Sequence, residues 1–229
     1  MGRSTEGSLR DSQAIMTSIA HTDSDHGRSQ DHEDHPPEQY YSSKVEPPIL
    51  GIYLFLASEA MLFGSFFAAY FFARVAVPHE FWPPIRPGTT VQFELPVFLA
   101  LINTIILVTS SVTVHWAVTS LKRNYRAGLI AGLSLTVLLG LAFLLIQIRE
   151  YMRIGFSPRD EAFGSTFFGL TGLHGTHVFM GLMFLTFALM RSMKGHYSAK
   201  HHLGLELPVI YWHFVDVMWI VVYVTVYVV

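Results

Sequence analysis

The chain has 229 residues, of which 51% are hydrophobic and only 14% are charged. That charged fraction lies well below the roughly 25% of soluble domains. The sequence contains no cysteine, which excludes disulfides, iron–sulfur clusters, c-type haem attachment and thiolate metal sites, and its net charge of −2 does not indicate a nucleic-acid partner.

The first 48 residues differ in composition from the rest of the chain. They carry nine of the 17 acidic residues, together with four histidines, and have few apolar side chains. A segment of this kind buries too little apolar surface to offset the entropy lost on ordering it. We therefore predict a disordered, acidic, histidine-containing tail over residues 1–48 and a membrane domain over residues 49–229. The four histidines could bind a divalent metal loosely, but a solvated tail is the simpler interpretation.

Five apolar runs follow this tail, and each is long enough to span a membrane as a helix, which takes about 20 residues. A chain of this length cannot bury five such helices in a soluble core. The sequence therefore predicts an all-α fold, a polytopic membrane bundle of five transmembrane helices. The predicted spans are 49–75, 93–120, 127–149, 165–190 and 207–229.

Lysine and arginine residues near the membrane boundaries are divided unequally between the two sides. Seven lie on the side of the N-terminus and five on the other side. The positive-inside rule then places the N-terminus in the cytoplasm and the C-terminus on the outer side. The seven are Lys44, Lys122, Arg123, Arg126, Arg191, Lys194 and Lys200, and the five are Arg74, Arg86, Arg149, Arg153 and Arg159.

Small residues recur every four positions on two of the predicted helices. In lipid, stripes of this kind let helix backbones approach closely. They are compatible with a compact bundle and also with a surface for a larger partner. The stripes are Ala60, Gly64 and Ala68 on the first helix, and Gly128, Gly132, Thr136 and Gly140 on the third.

Ionisable residues at membrane depth are few, and each is a candidate functional residue by default. Glu59 lies in LFLASEAMLFGSFFAAYFF, residues 54–72, which has no other charge. At 1.5 Å per residue, Glu59, His174 and Asp216 each lie about 14–15 Å into their helices, near the middle of the membrane. The candidate proton-bearing or structural positions are Glu59, His174, His177, Glu206, His213 and Asp216.

Three interpretations of these polar residues remain open. In the first, they form a buried hydrogen-bonded network in which Glu59 is neutral and is bonded to His174 and Asp216. In the second, two histidines and two carboxylates bind a metal in an intramembrane enzyme, although no local ligand motif is present. In the third, the chain is a small proton-coupled transporter with Glu59 as carrier, although no internal repeat or pair of broken helices is visible.

Several stretches resemble subunit III of haem–copper oxidases, from about residue 49 to residue 229. They include the run around Glu59, LINTIILVTSSVTVHW, QIREY, FGSTFFGLTGLHGTHVFMG and HHLGLELPVIYWHFVDVMWIVVYVTVY. The most specific is Gly-x-His-Gly-x-His-Val, followed about 35 residues later by Tyr-Trp-His-Phe-x-Asp-x-x-Trp. Glu59 matches the family's intramembrane carboxylate, and the five other candidate residues match its recurrent polar positions.

The resemblance implies a subunit with no redox centre of its own and with no metal or cofactor site. Haem and copper belong to the partner subunits I and II. Subunit III packs on subunit I, holds structural phospholipid and supports proton uptake during respiratory oxygen reduction. A supercomplex with a cytochrome c reductase is a further expected association, and no independent catalysis is expected.

The chain departs from the mitochondrial pattern, which has seven spans. It resembles the short bacterial form with five, and this predicts a multi-pass protein of the bacterial cytoplasmic membrane. Quinol oxidases and a nitric-oxide-reductase-associated branch share the five-span plan. Retention of Glu59 favours the cytochrome c type.

Overall fold

The computed structural model describes residues 47–77, 96–159, 161–195 and 203–228. Within these ranges the chain forms five long α-helices and no strand, and each helix is long and apolar enough to cross a membrane. The predicted all-α bundle of five spanning helices is confirmed. The helices are α1 (Pro47–Ala76), α2 (Val97–Lys122), α3 (Arg126–Tyr151), α4 (Glu161–Met193) and α5 (Leu203–Tyr223), and α5 continues as a π-helical turn over Val224–Val228.

The helix boundaries lie close to the predicted spans. Helix α1 begins at Pro47, two residues before the predicted start, because proline in a first helical turn removes no internal hydrogen bond. Helix α4 extends beyond its predicted span at both ends. Residues 1–46 of the predicted tail and residues 93–95 of the predicted second span lie outside the described residues.

Successive spanning helices run in opposite directions. We call the end at which α1, α3 and α5 begin the proximal end, and the end at which α2 and α4 begin the distal end. At the proximal end α2 and α3 are joined by a three-residue turn, Arg123–Tyr125. Asn124 adopts a left-handed conformation there, with φ of 54°, which asparagine tolerates better than most residues.

Close packing in the bundle depends on glycines that receive larger groups. At Gly132 of α3, an added Cβ would lie 2.8 Å from the Cβ of Ala117 on α2. Gly140 on α3 and Gly181 on α4 both receive the indole of Trp212 from α5, which is fully buried. The indole N–H of Trp212 donates a 2.9 Å hydrogen bond to Ser110 Oγ. The glycine stripe predicted on the third helix therefore packs inside the bundle.

Helix α1 lies at the edge of the bundle, against α4 and α5. Of its 30 residues only Leu56, Phe63 and Tyr70 are buried, at intervals of seven. Glu59 and Phe66 are partly buried between them, so α1 contacts the bundle through one narrow heptad seam. The small-residue stripe of α1 (Ala60, Gly64 and Ala68) is exposed in this chain.

Candidate functional site

Glu59 is paired with a histidine across the α1–α4 contact. Its Oε2 atom lies 2.8 Å from Nε2 of His177. The pair is largely shielded, with side-chain exposures of 18% for Glu59 and 10% for His177. The ring of Phe63 lies over His177, with centroids 5.0 Å apart, and closes the site one helical turn further along α1.

The hydrogen bonds of His177 fix how many protons the pair holds. Nδ1 lies 2.8 Å from the carbonyl oxygen of Leu173, which only accepts, so Nδ1 carries a proton and donates it. The contact between Nε2 and Glu59 then needs one further proton. That proton lies either on Glu59, facing a neutral imidazole, or on His177, facing a carboxylate. Both states are neutral overall, and the proton can move between them without displacing the heavy atoms.

The expectation that Glu59 bonds to His174 and Asp216 was wrong. Glu59 contacts His177 instead, although His177 lies one turn nearer the proximal end than His174. The reason is geometric, because side chains lean toward the N-terminus of their own helix. In antiparallel α1 and α4, Glu59 therefore leans toward the proximal end and His177 toward the distal end, and the two meet.

His174 is fully buried in an aromatic environment. Its ring lies 4.9 Å from that of Trp219 on α5 and 5.9 Å from that of Phe143 on α3. Neither ring nitrogen has a hydrogen-bond partner in the described part of the chain. The structure therefore places His174 at the junction of α3, α4 and α5 and away from Glu59.

His213 and Asp216 form a second polar cluster, between α5 and α2. Ser111 Oγ donates to Oδ2 of Asp216 and lies 3.1 Å from Nδ1 of His213. Since the hydroxyl hydrogen is directed to Asp216, Nδ1 of His213 is the donor in the other bond. His115, an exposed residue, lies one turn along α2 from Ser111. His213 and Asp216 are three residues apart and therefore share a face of α5, whereas the serine that joins them was not among the candidate residues.

Glu206 lies in the first turn of α5 and is half-buried. A carboxylate at this position interacts favourably with the helix dipole. Glu206 thus lies at the mouth of the fifth helix, directly before the predicted start of that span at residue 207.

A third polar cluster lies at the distal end and was not predicted from the sequence. Tyr227 donates a 3.1 Å hydrogen bond to Oε1 of Glu150, and the amide of Asn103 lies 3.4 Å from Oε1 of Gln147. Asn103, Gln147 and Glu150 are all at least 97% buried. We call Asn103, Gln147, Glu150 and Tyr227 the distal cluster.

The helical period carried a signal for the distal cluster. Phe143, Gln147 and Glu150 follow one another at spacings of four and three on the buried face of α3. The predicted third span ends at residue 149 and leaves Glu150 outside it. The helix continues to Tyr151, and its buried face continues with it.

No three histidine, aspartate or glutamate side chains converge to hold a metal ion within the described ranges. Three separate hydrogen-bonded groups are present instead. Glu59–His177 joins α1 to α4, and Ser111 with His213 and Asp216 joins α2 to α5. The distal cluster joins α2, α3 and the π-helical turn after α5. The fold and these polar groups thus define the class of the chain: a polytopic helical membrane protein whose intramembrane polar residues form separate groups.

Comparison with known proteins identifies the family. Residues 42–229 match the family model described as cytochrome c oxidase subunit III. The chain is 43% identical over 180 residues to cytochrome c oxidase subunit 3 of Drosophila melanogaster, covering 77% of this chain and 67% of the relative. It is 42% identical over 192 residues to the Petromyzon marinus protein of that name (82% and 72% covered) and 39% identical over 198 residues to the Homo sapiens protein (83% and 74%).

The chain therefore belongs to the cytochrome c oxidase subunit III family. Membership makes it part of an oxidoreductase complex of the respiratory chain, and the five apolar helices indicate a multi-pass membrane protein. The metalloenzyme and transporter interpretations do not agree with this assignment.

Proposed function

We propose that the chain is the subunit III of a cytochrome c type respiratory oxidase in a bacterial cytoplasmic membrane. It carries no redox centre, has no catalytic activity of its own and packs on subunit I, while haem and copper belong to subunits I and II. Its N-terminus is cytoplasmic and its C-terminus lies on the outer side. Support comes from the family match, the names of the relatives, the five spanning helices and the distribution of basic residues.

The observation that carries the proposed role is the Glu59–His177 pair. It holds one transferable proton at zero net charge, near the middle of two membrane helices, at the edge of the bundle. A proton held in this way can be released to, or taken from, a partner that covers this edge. We propose that the pair supports proton uptake by subunit I and that it also fixes the register of α1 on α4.

The other candidate residues have supporting roles in this proposal. His213 and Asp216 set the position of α5 on α2 through Ser111, and His174 sets the packing at the junction of three helices. Glu206 contributes charge at the proximal end of α5. All act as structural and proton-environment residues, with none in direct catalysis.

Lipid and further assembly belong to the same proposal. Apolar side chains cover much of the outer surface of the helices, as a bilayer or a partner subunit requires. We propose that structural phospholipid binds on this surface and that the oxidase associates with a cytochrome c reductase. A quinol oxidase and a nitric-oxide-reductase-associated complex are the alternatives within the five-span plan.

The test is to tag the C-terminus, extract the native membrane in mild detergent and record a reduced-minus-oxidised spectrum with a peptide inventory of the purified sample. Haem a bands together with a copper-binding subunit II are the expected result. Haem b or o bands without that subunit would assign the chain to one of the alternative complexes. A colourless chain purified alone would overturn the proposed function.

A further inference from the structure

The distal cluster joins the π-helical turn at the end of α5 to the rest of the bundle. Thr225, Val226 and Tyr227 of this turn are buried. The ring of Tyr227 lies against that of Phe167 on α4, with centroids 6.0 Å apart, and its hydroxyl donates a 3.1 Å hydrogen bond to Oε1 of Glu150 on α3. Turns of this kind are rare and occur frequently at functional sites. The turn is therefore held on α3 by a hydrogen bond whose acceptor is an ionisable group.

The carboxyl group of Glu150 has too few donors around it for an anion. Its second oxygen, Oε2, is buried and has no hydrogen-bond partner in the described part of the chain. The same is true of Oδ1 of Asn103 in the same cluster. A buried charge is tolerated when it is paired or has several hydrogen bonds, whereas Glu150 has one, from Tyr227. The site as folded therefore accommodates the neutral acid and not the carboxylate.

The groups packed around this carboxyl are uncharged while the turn is in place. They come from α2, α3 and the turn itself, and they are Asn103, Gln147, Tyr151 and Tyr227. The hydroxyl of Tyr151 donates to Oγ1 of Thr171 on α4, at 2.7 Å. Cations lie on the outer side only, where the exposed Arg149 and Arg153 share with Glu150 the lining of a pocket of about 380 Å³. A carboxylate at position 150 would thus be favoured in the pocket and disfavoured in the cluster.

We propose that Glu150 and Tyr227 form a pH-sensitive switch at the distal end of the bundle. In the docked state Glu150 is neutral and holds the π-helical turn through the hydroxyl of Tyr227. When Glu150 loses its proton to water, the carboxylate turns to the pocket beside Arg149 and Arg153, and the turn is released from α3. The docked state binds one proton more than the released state. Rising pH therefore favours release, and the equilibrium constant for release increases by up to about tenfold per pH unit.

The absence of cysteine from the sequence allows a direct test, because one introduced thiol reports on one place in the chain. Thr225→Cys puts a thiol inside the docked turn, and Met152→Cys puts one at the same end of the bundle at a residue that is 76% exposed. Each complex is purified in mild detergent and treated with a maleimide over a range of pH, and labelling of this chain is followed by mass spectrometry. The Met152→Cys rate corrects for the pH dependence of thiol reactivity. We expect the ratio of the Thr225→Cys rate to the Met152→Cys rate to rise with pH, by up to about tenfold per unit.

Variants in the same two cysteine backgrounds assign the switch to its two residues. Glu150→Gln keeps an acceptor for Tyr227 but cannot ionise, so the ratio should no longer depend on pH. Tyr227→Phe removes the donor and should raise the ratio by about tenfold at the lowest pH of the series. Tyr223→Phe is the matched control, because its ring stacks on that of Tyr227 at 5.7 Å while its hydroxyl is not part of the distal cluster. This control should leave the ratio unchanged.

A ratio that does not change with pH would overturn the switch, and this result needs no variant of the distal cluster to fold. So would a Thr225→Cys thiol that stays unlabelled throughout the series, or a Glu150→Gln complex with the original pH dependence. A rise in the ratio that accompanies loss of subunit I would also overturn it, because the whole bundle and not the turn would then have opened. Labelling is read on this chain alone, so failure of the switch leaves the proposed function untouched.

Discussion

Replacement of Glu59 by glutamine tests whether the proton between Glu59 and His177 takes part in proton uptake or only forms a hydrogen bond between two helices. Nδ1 of His177 stays committed to the Leu173 carbonyl, so Nε2 of the neutral ring remains an acceptor. The amide of glutamine can donate to it at the 2.8 Å separation seen for Glu59. The variant therefore keeps one hydrogen bond in place but has no proton to transfer.

The energetic consequence follows from the same geometry. Interhelical hydrogen bonds in membranes contribute about 0.6 kcal/mol on average and up to about 1.7 kcal/mol, so Glu59→Gln should destabilise the fold by less than that. Glu59→Leu leaves the buried Nε2 acceptor without a donor and should cost about 1–3 kcal/mol. A double-mutant cycle with His177→Leu should return a coupling energy of about 0.6–1.7 kcal/mol.

The assay is proton uptake and turnover of the assembled oxidase, measured over a range of pH. We expect the Glu59→Gln oxidase to assemble normally. It should take up protons more slowly than the unmodified oxidase, and it should lose its turnover activity sooner. The control is Ser58→Ala, since Ser58 is exposed beside Glu59 and its hydroxyl donates to the Phe55 carbonyl of the same helix. Normal assembly with unchanged turnover, proton uptake and pH profile in Glu59→Gln would refute the proton role and leave the pair as a helix contact.

Two further predictions concern packing, and both are measured as the free energy of unfolding of the full chain in mixed micelles. Gly132→Ala should destabilise by about 1–3 kcal/mol, because its Cβ would lie 2.8 Å from that of Ala117, whereas Gly64→Ala has nothing within 4 Å and should be neutral or stabilising. Equal effects would contradict the close α2–α3 contact. Trp212→Ala should lower the free energy of unfolding by about 3–5 kcal/mol, because Trp212 is fully buried. Trp116→Ala should change it by no more than about 0.5 kcal/mol, because Trp116 is 48% exposed. A small effect at Trp212 would mean that the glycine-lined site collapses without it.

The sequence was sufficient to predict the five spanning helices, but it was not sufficient to predict which polar side chains pair between them. Five apolar runs, each long enough as a helix to cross the bilayer, leave few alternatives to five spanning helices. The spacing of three residues between His213 and Asp216 places both on one face of α5. The partner of Glu59 depends on where α1 begins and on the lean of each side chain, and an error of one turn exchanges His177 for His174. Ser111 was not predicted to join His213 and Asp216, because serines in spanning helices usually bond their own backbone.

Glu150 shows a second limit of prediction from the sequence, which concerns where a spanning helix ends. Hydropathy ends a span where charges begin, so the predicted third span ends at Arg149 and leaves Glu150 outside it. The structure separates them, since Arg149 is exposed and Glu150 is 97% buried. Only the helical period through Phe143 and Gln147 distinguishes the two, and it does so once the helix is known to continue to Tyr151.

The position of α1 has a consequence for biosynthesis. Glu59 and its partner are 118 residues apart in the chain, and the helices against which α1 packs are the last to be made. At about 5–20 residues per second, the glutamate waits roughly 6–24 s in the membrane before His177 has been synthesised. During this interval α4 and α5, the helices against which α1 packs, have not been completed. The nascent chain therefore depends on the insertion machinery, or on a neutral Glu59 side chain, to hold its first helix until the fourth arrives.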